Sequence, residues 1–201
     1  MSMCKLCLFV IFFLSFFSCT PKKTKQDIEA EFNQNHKNFV LDKKVVYKSI
    51  AFKLPSCFEP TYWNEFTVLK SSLCKSVNVF NIHFSVEEFK SAKTILHTFP
   101  ALEVNSDMLN ALHDAYVNRR LQSVSSGTLS IKKILPKKIA DYGVIQTVGT
   151  ESEYGNPLLY ITATLKFDLK YYVFQWIAPN EMMKYTYDDF ERILKTVHLS
   201  K

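Results

Sequence analysis

Glycine is scarce, with four in 201 residues. That argues against Gly-rich phosphate loops, and neither a Gly-x-x-x-x-Gly-Lys run nor a Gly-x-Gly-x-x-Gly fingerprint occurs. Five cysteines are too few for a small disulfide-stapled scaffold. No His-Glu-x-x-His pair and no Gly-x-Ser-x-Gly elbow is present, so the usual zinc-protease and hydrolase signatures are missing. The longest apolar run, Leu6–Phe17, is also short. As a helix it would reach about 18 Å, against about 30 Å of bilayer hydrocarbon. A spanning helix is disfavoured. What remains is apolar enough to fold: 47% of the residues are hydrophobic, which excludes general disorder, and the length suits one domain. The formal charge of +6 is mild and spread along the chain, so no nucleic-acid partner is expected.

The N-terminus reads as an address. Lys5 precedes the apolar run, and Ser18-Cys19 closes it. This is the order of a secretory signal. Ser18-Cys19 resembles a bacterial lipobox, in which the Cys thiol is acylated and the preceding peptide removed. Phe16 and Phe17 depart from the Leu and small residue usual there, which leaves a plain or uncleaved signal as the alternative. The resemblance implies a signal peptide at 1–18 and a lipid on Cys19. The membrane is then a partner through that lipid, and the chain belongs in the cell envelope, facing the periplasm or the cell surface. Cys4 and Cys7 would leave with the peptide, one Lys and no acid would be lost, and the charge would fall to +5. Residues 19–44 are polar and poorly periodic and are expected to be a tether, with a single α+β domain over 45–201.

Within that domain period-two alternation predicts strands. Tyr47–Leu54, residues around Phe66–Lys70, Val77–Phe84, Thr128–Leu135, Tyr142–Thr150, Leu158–Phe167 and Tyr171–Ile177 all carry it. Short links between the last three predict an antiparallel meander. Ser85 followed by Val86-Glu87-Glu88 predicts a helix start, with Ser as N-cap and acids in the first turn. Ser106-Asp107-Met108 starts a second helix, to about Gln122. The stripe Phe190, Ile193, Leu194 and Val197 marks a terminal helix from Thr186 to about Leu199.

The order of these elements resembles the PsbP-like family, whose name comes from an extrinsic photosystem II subunit. The residues carrying the likeness are Ile50-Ala-Phe-Lys-Leu-Pro-Ser56, then Tyr171-Tyr-Val-Phe174 and Phe190-Glu-Arg-Ile-Leu-Lys-Thr-Val197. The resemblance covers about residues 45–199. It implies an antiparallel sheet of six to seven strands with helices packed on its faces, and non-enzymatic binding or assembly roles. It brings no catalytic motif.

Candidate chemistry is thin. Cys57 and Cys74 flank a strand, and in an oxidising compartment either bond or stay as separate buried thiols. The five histidines show no metal-ligand spacing, and no cofactor is called for. The acid pairs Glu87-Glu88 and Asp188-Asp189 fit helix starts better than paired-carboxylate catalysis. Arg119-Arg120, with Lys132-Lys133 and Lys137-Lys138, either form a basic surface for an anionic partner or are scattered solvated charges. Tyr62 and Trp63 are candidates for an exposed aromatic rim. These features point to a non-catalytic, lipid-anchored binding or assembly module with a protein partner. A small-ligand or lipid-binding module is the alternative, using the space between sheet and helix under Trp63 and the aromatic strand. A hydrolase would require His83 to meet a carboxylate in a pocket.

Overall fold

Eleven strands and three helices make up the described part of this computed structural model, which comprises residues 40–56, 58–63, 66–72, 81–102, 107–122, 126–151, 158–179 and 183–200. In chain order they are β1 (Lys43–Tyr47), β2 (Ile50–Leu54), β3 (Glu59–Trp63), β4 (Phe66–Ser72), β5 (Asn81–Phe89), α1 (Ala92–Thr98), α2 (Met108–Gln122), β6 (Ser126–Leu129), β7 (Lys133–Ile134), β8 (Tyr142–Glu151), β9 (Leu158–Phe167), β10 (Lys170–Pro179), α3 (Met183–Leu194) and β11 (His198–Leu199). A large antiparallel sheet runs β3-β4-β5-β10-β9-β8-β6, with β7 also paired to β8. A small sheet runs β1-β2-β11. The class is α+β, and the meander β8-β9-β10 is present as its alternation and short links require.

Alternation assigns each face of the large sheet. Phe84 and Val86 of β5, Phe174 and Trp176 of β10, and Ile161 and Ala163 of β9 point to one side and are buried. The small sheet and α3 cover that side. Phe52 of β2 meets Phe84 and Phe174 at ring-centroid distances of 5.6 and 5.9 Å, and Phe190 of α3 meets Trp176 at 5.8 Å. The opposite side lies under α1 and α2, where Phe89, Ile95, Leu112, Tyr116 and Val173 form a second core. Three layers result, and each helix buries one stripe.

Several elements depart from the sequence expectations. Residues 47–54 are not one strand. The chain reverses at Lys48-Ser49, with Lys48 at φ 52°, and β1 pairs with β2. Nothing in the composition signals this turn, because Lys replaces the Gly or Asn that favours positive φ. Ser85 does not cap a helix. Strand β5 continues through Glu87 and Glu88 to Phe89, and Ser91 caps α1 by accepting from the Thr94 N–H. The two acids therefore face opposite sides of a strand. Residues 128–135 divide into β6 and β7 along the edge of β8. The terminal helix stops at Leu194, and His198-Leu199 add a strand to β2. Val197 nevertheless remains buried with Phe190, Ile193 and Leu194. Thr196 Oγ1 donates to the Ile193 carbonyl and accepts from the Lys53 N–H, which steers the chain out of the helix and along β2.

Candidate functional site

Helix α2 crosses the sheet above β8 and β9. Asp107 starts it by accepting from the Asn110 N–H at 3.2 Å. Beside the apolar core beneath it lie buried polar residues, Gln146 on β8 and Thr162 and Thr164 on β9. His113, fully buried on α2, bonds Thr164 Oγ1 through Nδ1 at 3.1 Å, and its Nε2 has no partner among the described residues. Burial, with some help from the charge of Lys132, pushes the imidazole down to about 4, against weaker upward pulls from Asp114 and Gln146. It is a neutral core histidine.

Among the described residues, no element continues the cover past the C-terminal end of α2. Arg119 is exposed, while Arg120 is half-buried and turned onto the sheet. Its guanidinium donates to Gln175 Oε1 at 3.3 Å and lies 5.2 Å from the centre of the Tyr160 ring. Burial lowers its affinity for a proton, the Tyr160 oxygen offsets this, and Arg119 adds to it. Register extends this site. Gln175 pairs with Ser85 and Thr162, and Ile177 pairs with His83 and Tyr160. Ser85, His83, Gln175, Ile177 and Tyr160 are all half-buried, in contrast to the fully buried opposite face of the same strands. The result is an open platform of aromatic, amide, hydroxyl and imidazole groups around an oriented arginine.

A second polar cluster sits on the other side of the sheet. Glu88 Oε1 accepts from Ser49 Oγ at 2.7 Å and from the Tyr172 hydroxyl at 3.1 Å, and Lys170 Nζ lies 3.3 Å away. Lys170 also donates to Ser49 Oγ at 2.7 Å. Burial alone would raise the Glu88 carboxyl, but these donors and the Lys170 charge together hold it below its ordinary value. Burial and the adjacent carboxylate raise Tyr172 to about 12. Ser49 donates to a carboxylate and accepts from an ammonium, which is the arrangement of a connector rather than an activated nucleophile. The cluster fastens the β1–β2 turn to the sheet. Glu87, from the opposite face, meets the hydroxyl of Tyr116 on α2.

Of the residues singled out by sequence, Cys19, Cys57 and Cys74 lie outside the described residues. Tyr62 and Trp63 sit on the edge strand β3, in register with Thr67 and Phe66. Arg120 is at the platform, but the basic residues do not gather around it. Lys132 reaches Asp114 at 2.5 Å on the α2 side, and Lys133 lies 5.2 Å from the Tyr187 ring of α3 on the other. Asp188-Asp189 do not open α3, which begins at Met183; Asp189 is buried and paired to Arg192 at 3.3 Å. Tyr160, Gln175 and Ser85 were not anticipated. Only the strand alternation of β5, β9 and β10 signals them, by placing polar residues opposite a continuous apolar face. Among the described residues no group of three or more His, Cys, Asp or Glu could hold a metal, and no helix is long and apolar enough to cross a membrane.

No protein-family model matches the chain, and no curated protein matches it. Solved structures do. The Ran-binding protein Mog1p of Saccharomyces cerevisiae is 10% identical, with 80% of this chain and 96% of that one covered at a TM-score of 0.56. Cyanobacterial PsbP from Synechocystis is 13% identical, with 79% and 92% covered at 0.51. The fold is PsbP-like. At these identities the likeness is one of architecture, and the PsbP-like domain carries its own side chains at the platform.

Proposed function

We propose that this chain is a non-catalytic, lipid-anchored protein of the cell envelope whose PsbP-like domain binds a partner protein through the open platform at Arg120. The observation that carries the reading is the Arg120–Tyr160–Gln175 arrangement on a half-buried stretch of sheet. Arginine and tyrosine dominate protein-binding hot spots because each combines a large contact area with a directional polar group. Here the guanidinium is already oriented, so little side-chain entropy remains to be lost on binding. A protein-binding role also fits a fold shared with a Ran-binding protein. The small-ligand alternative needs room beneath the aromatic strand β10. That space holds the buried rings of Phe52, Phe58, Phe84, Phe174 and Phe190.

Two results follow. Arg120→Ala reduces recovery of the partner with the full-length protein at least about tenfold, the effect of removing one hot-spot arginine, and shifts Tm little. Recovery equal to wild type would move the binding surface elsewhere. The anchor is tested separately. Cys19→Ala removes the acyl mass from the mature chain, whereas an unacylated Cys19 in the wild-type mature chain would exclude the lipid on that cysteine.

A further inference from the structure

The far edge of the sheet has a different character from the platform. Between Gly127 and Ala140 there are four lysines and no acid. Three large apolar side chains in this stretch face solvent: Leu129 is 50% exposed, Ile131 85% and Ile134 70%. They are not on a slack loop. The Ser130 N–H donates to the Thr147 carbonyl, the Ser130 carbonyl accepts from Gln146, and the Leu135 N–H donates to the Gly143 carbonyl. Leu135 and Ile139 point inward and are buried. The frame is therefore fixed by β8, and the isoleucines are held outward against the hydrophobic effect.

We propose that this edge, centred on Ile131 and Ile134 with Lys133, Lys137 and Lys138 beside them, docks the domain onto an anionic phospholipid surface. Charge complementarity favours a bilayer. Apolar side chains that reach past the headgroups, flanked by lysines that stay among the phosphates, are the pattern of interfacial attachment. Lys132 is already neutralised by Asp114; Lys137 and Lys138 are exposed, as is Lys133, whose ammonium also lies 5.2 Å from the Tyr187 ring. Strand addition by a protein partner is disfavoured, because the β8 edge is already occupied by β6 and β7. These are strands of four and two residues, followed directly by Leu135-Pro136, and they offer no continuous ladder. The docking needs no lipid on Cys19, so it stands apart from the anchor.

The test uses the purified full-length chain carrying Ile131→Trp, an exposed site that tolerates the change. Vesicles contain brominated phospholipid, either with phosphatidylglycerol or as phosphatidylcholine alone. The added tryptophan emission is expected to be quenched on the anionic vesicles, with at least about tenfold weaker partitioning of this edge when Ile134→Asp is added. The wild-type chain, with Trp63 and Trp176 only, provides the baseline. No quenching above that baseline, or equal quenching on phosphatidylcholine, would overturn the proposal. So would burial of the new tryptophan only when a protein extract replaces the vesicles. The mass of the mature chain reports acylation of Cys19 independently, so failure of the anchor and failure of this docking are separately visible.

Discussion

Replacing Phe190 by Ala lowers the stability of the domain by about 3–5 kcal/mol. The side chain is fully buried, and its ring lies 6.2 Å from that of Phe84 and 5.8 Å from that of Trp176. Phe84 in turn packs against the Phe52 ring of β2 and Trp176 against Phe58, so truncation opens a void among side chains that cannot collapse independently. Part of the loss is transfer energy and part is cavity, and both fall on the same residue because α3 contributes its stripe to a single face. Phe190→Leu retains most of the volume and costs about 1–2 kcal/mol. Urea unfolding of the pair measures both values. A loss under about 1 kcal/mol for the Ala variant would remove α3 from the core.

The domain loses about 3 kcal/mol of stability between pH 6.5 and pH 4, the equivalent of the His113 displacement at about 1.4 kcal/mol per pH unit. His113 is held neutral to about 4 by its burial. Its unfolded form protonates near 6.5. Above that pH the contribution is complete. As pH falls through the window only the unfolded chain gains a proton, and the folded state weakens. Glu88 acts lower on the scale. Its carboxyl lies below the ordinary value, so its contribution is intact above about 4.5 and is lost as pH falls through the folded value. The two windows overlap only between about pH 4.5 and 4, and His113→Met should flatten the upper one only. Denaturant midpoints measured from pH 7 to pH 3.5 decide this. A slope unchanged by His113→Met would assign acid sensitivity to other groups.

Local pattern and long-range contact divide the legibility of this protein. Alternation in 142–150, 158–167 and 171–177 specified the meander, because its links are short and its partners are neighbours in sequence. The stripe at Phe190, Ile193 and Leu194 specified the helix that covers it. Glu87-Glu88 misled for a physical reason. Adjacent acids suit a helix N-terminus, and the groups that satisfy Glu88 on a strand, Ser49 and Tyr172, lie 39 and 84 positions away. The end of the terminal helix was hidden likewise, since β2 supplies the free edge that β11 takes. At the site, Arg120 was visible as a basic residue, but not its orientation, because Tyr160 and Gln175 come from later strands. His113 carried no signal of burial, since a lone helical histidine looks the same on either face.

The most direct test of the binding account places a photo-crosslinking amino acid at position 177, beside His83 and Tyr160 in the platform, in the full-length protein in cells. Irradiation followed by mass spectrometry is expected to give one dominant protein adduct, which disappears when Arg120→Ala is added. Adducts to lipid alone, or a protein adduct that persists undiminished with Arg120→Ala, would contradict it.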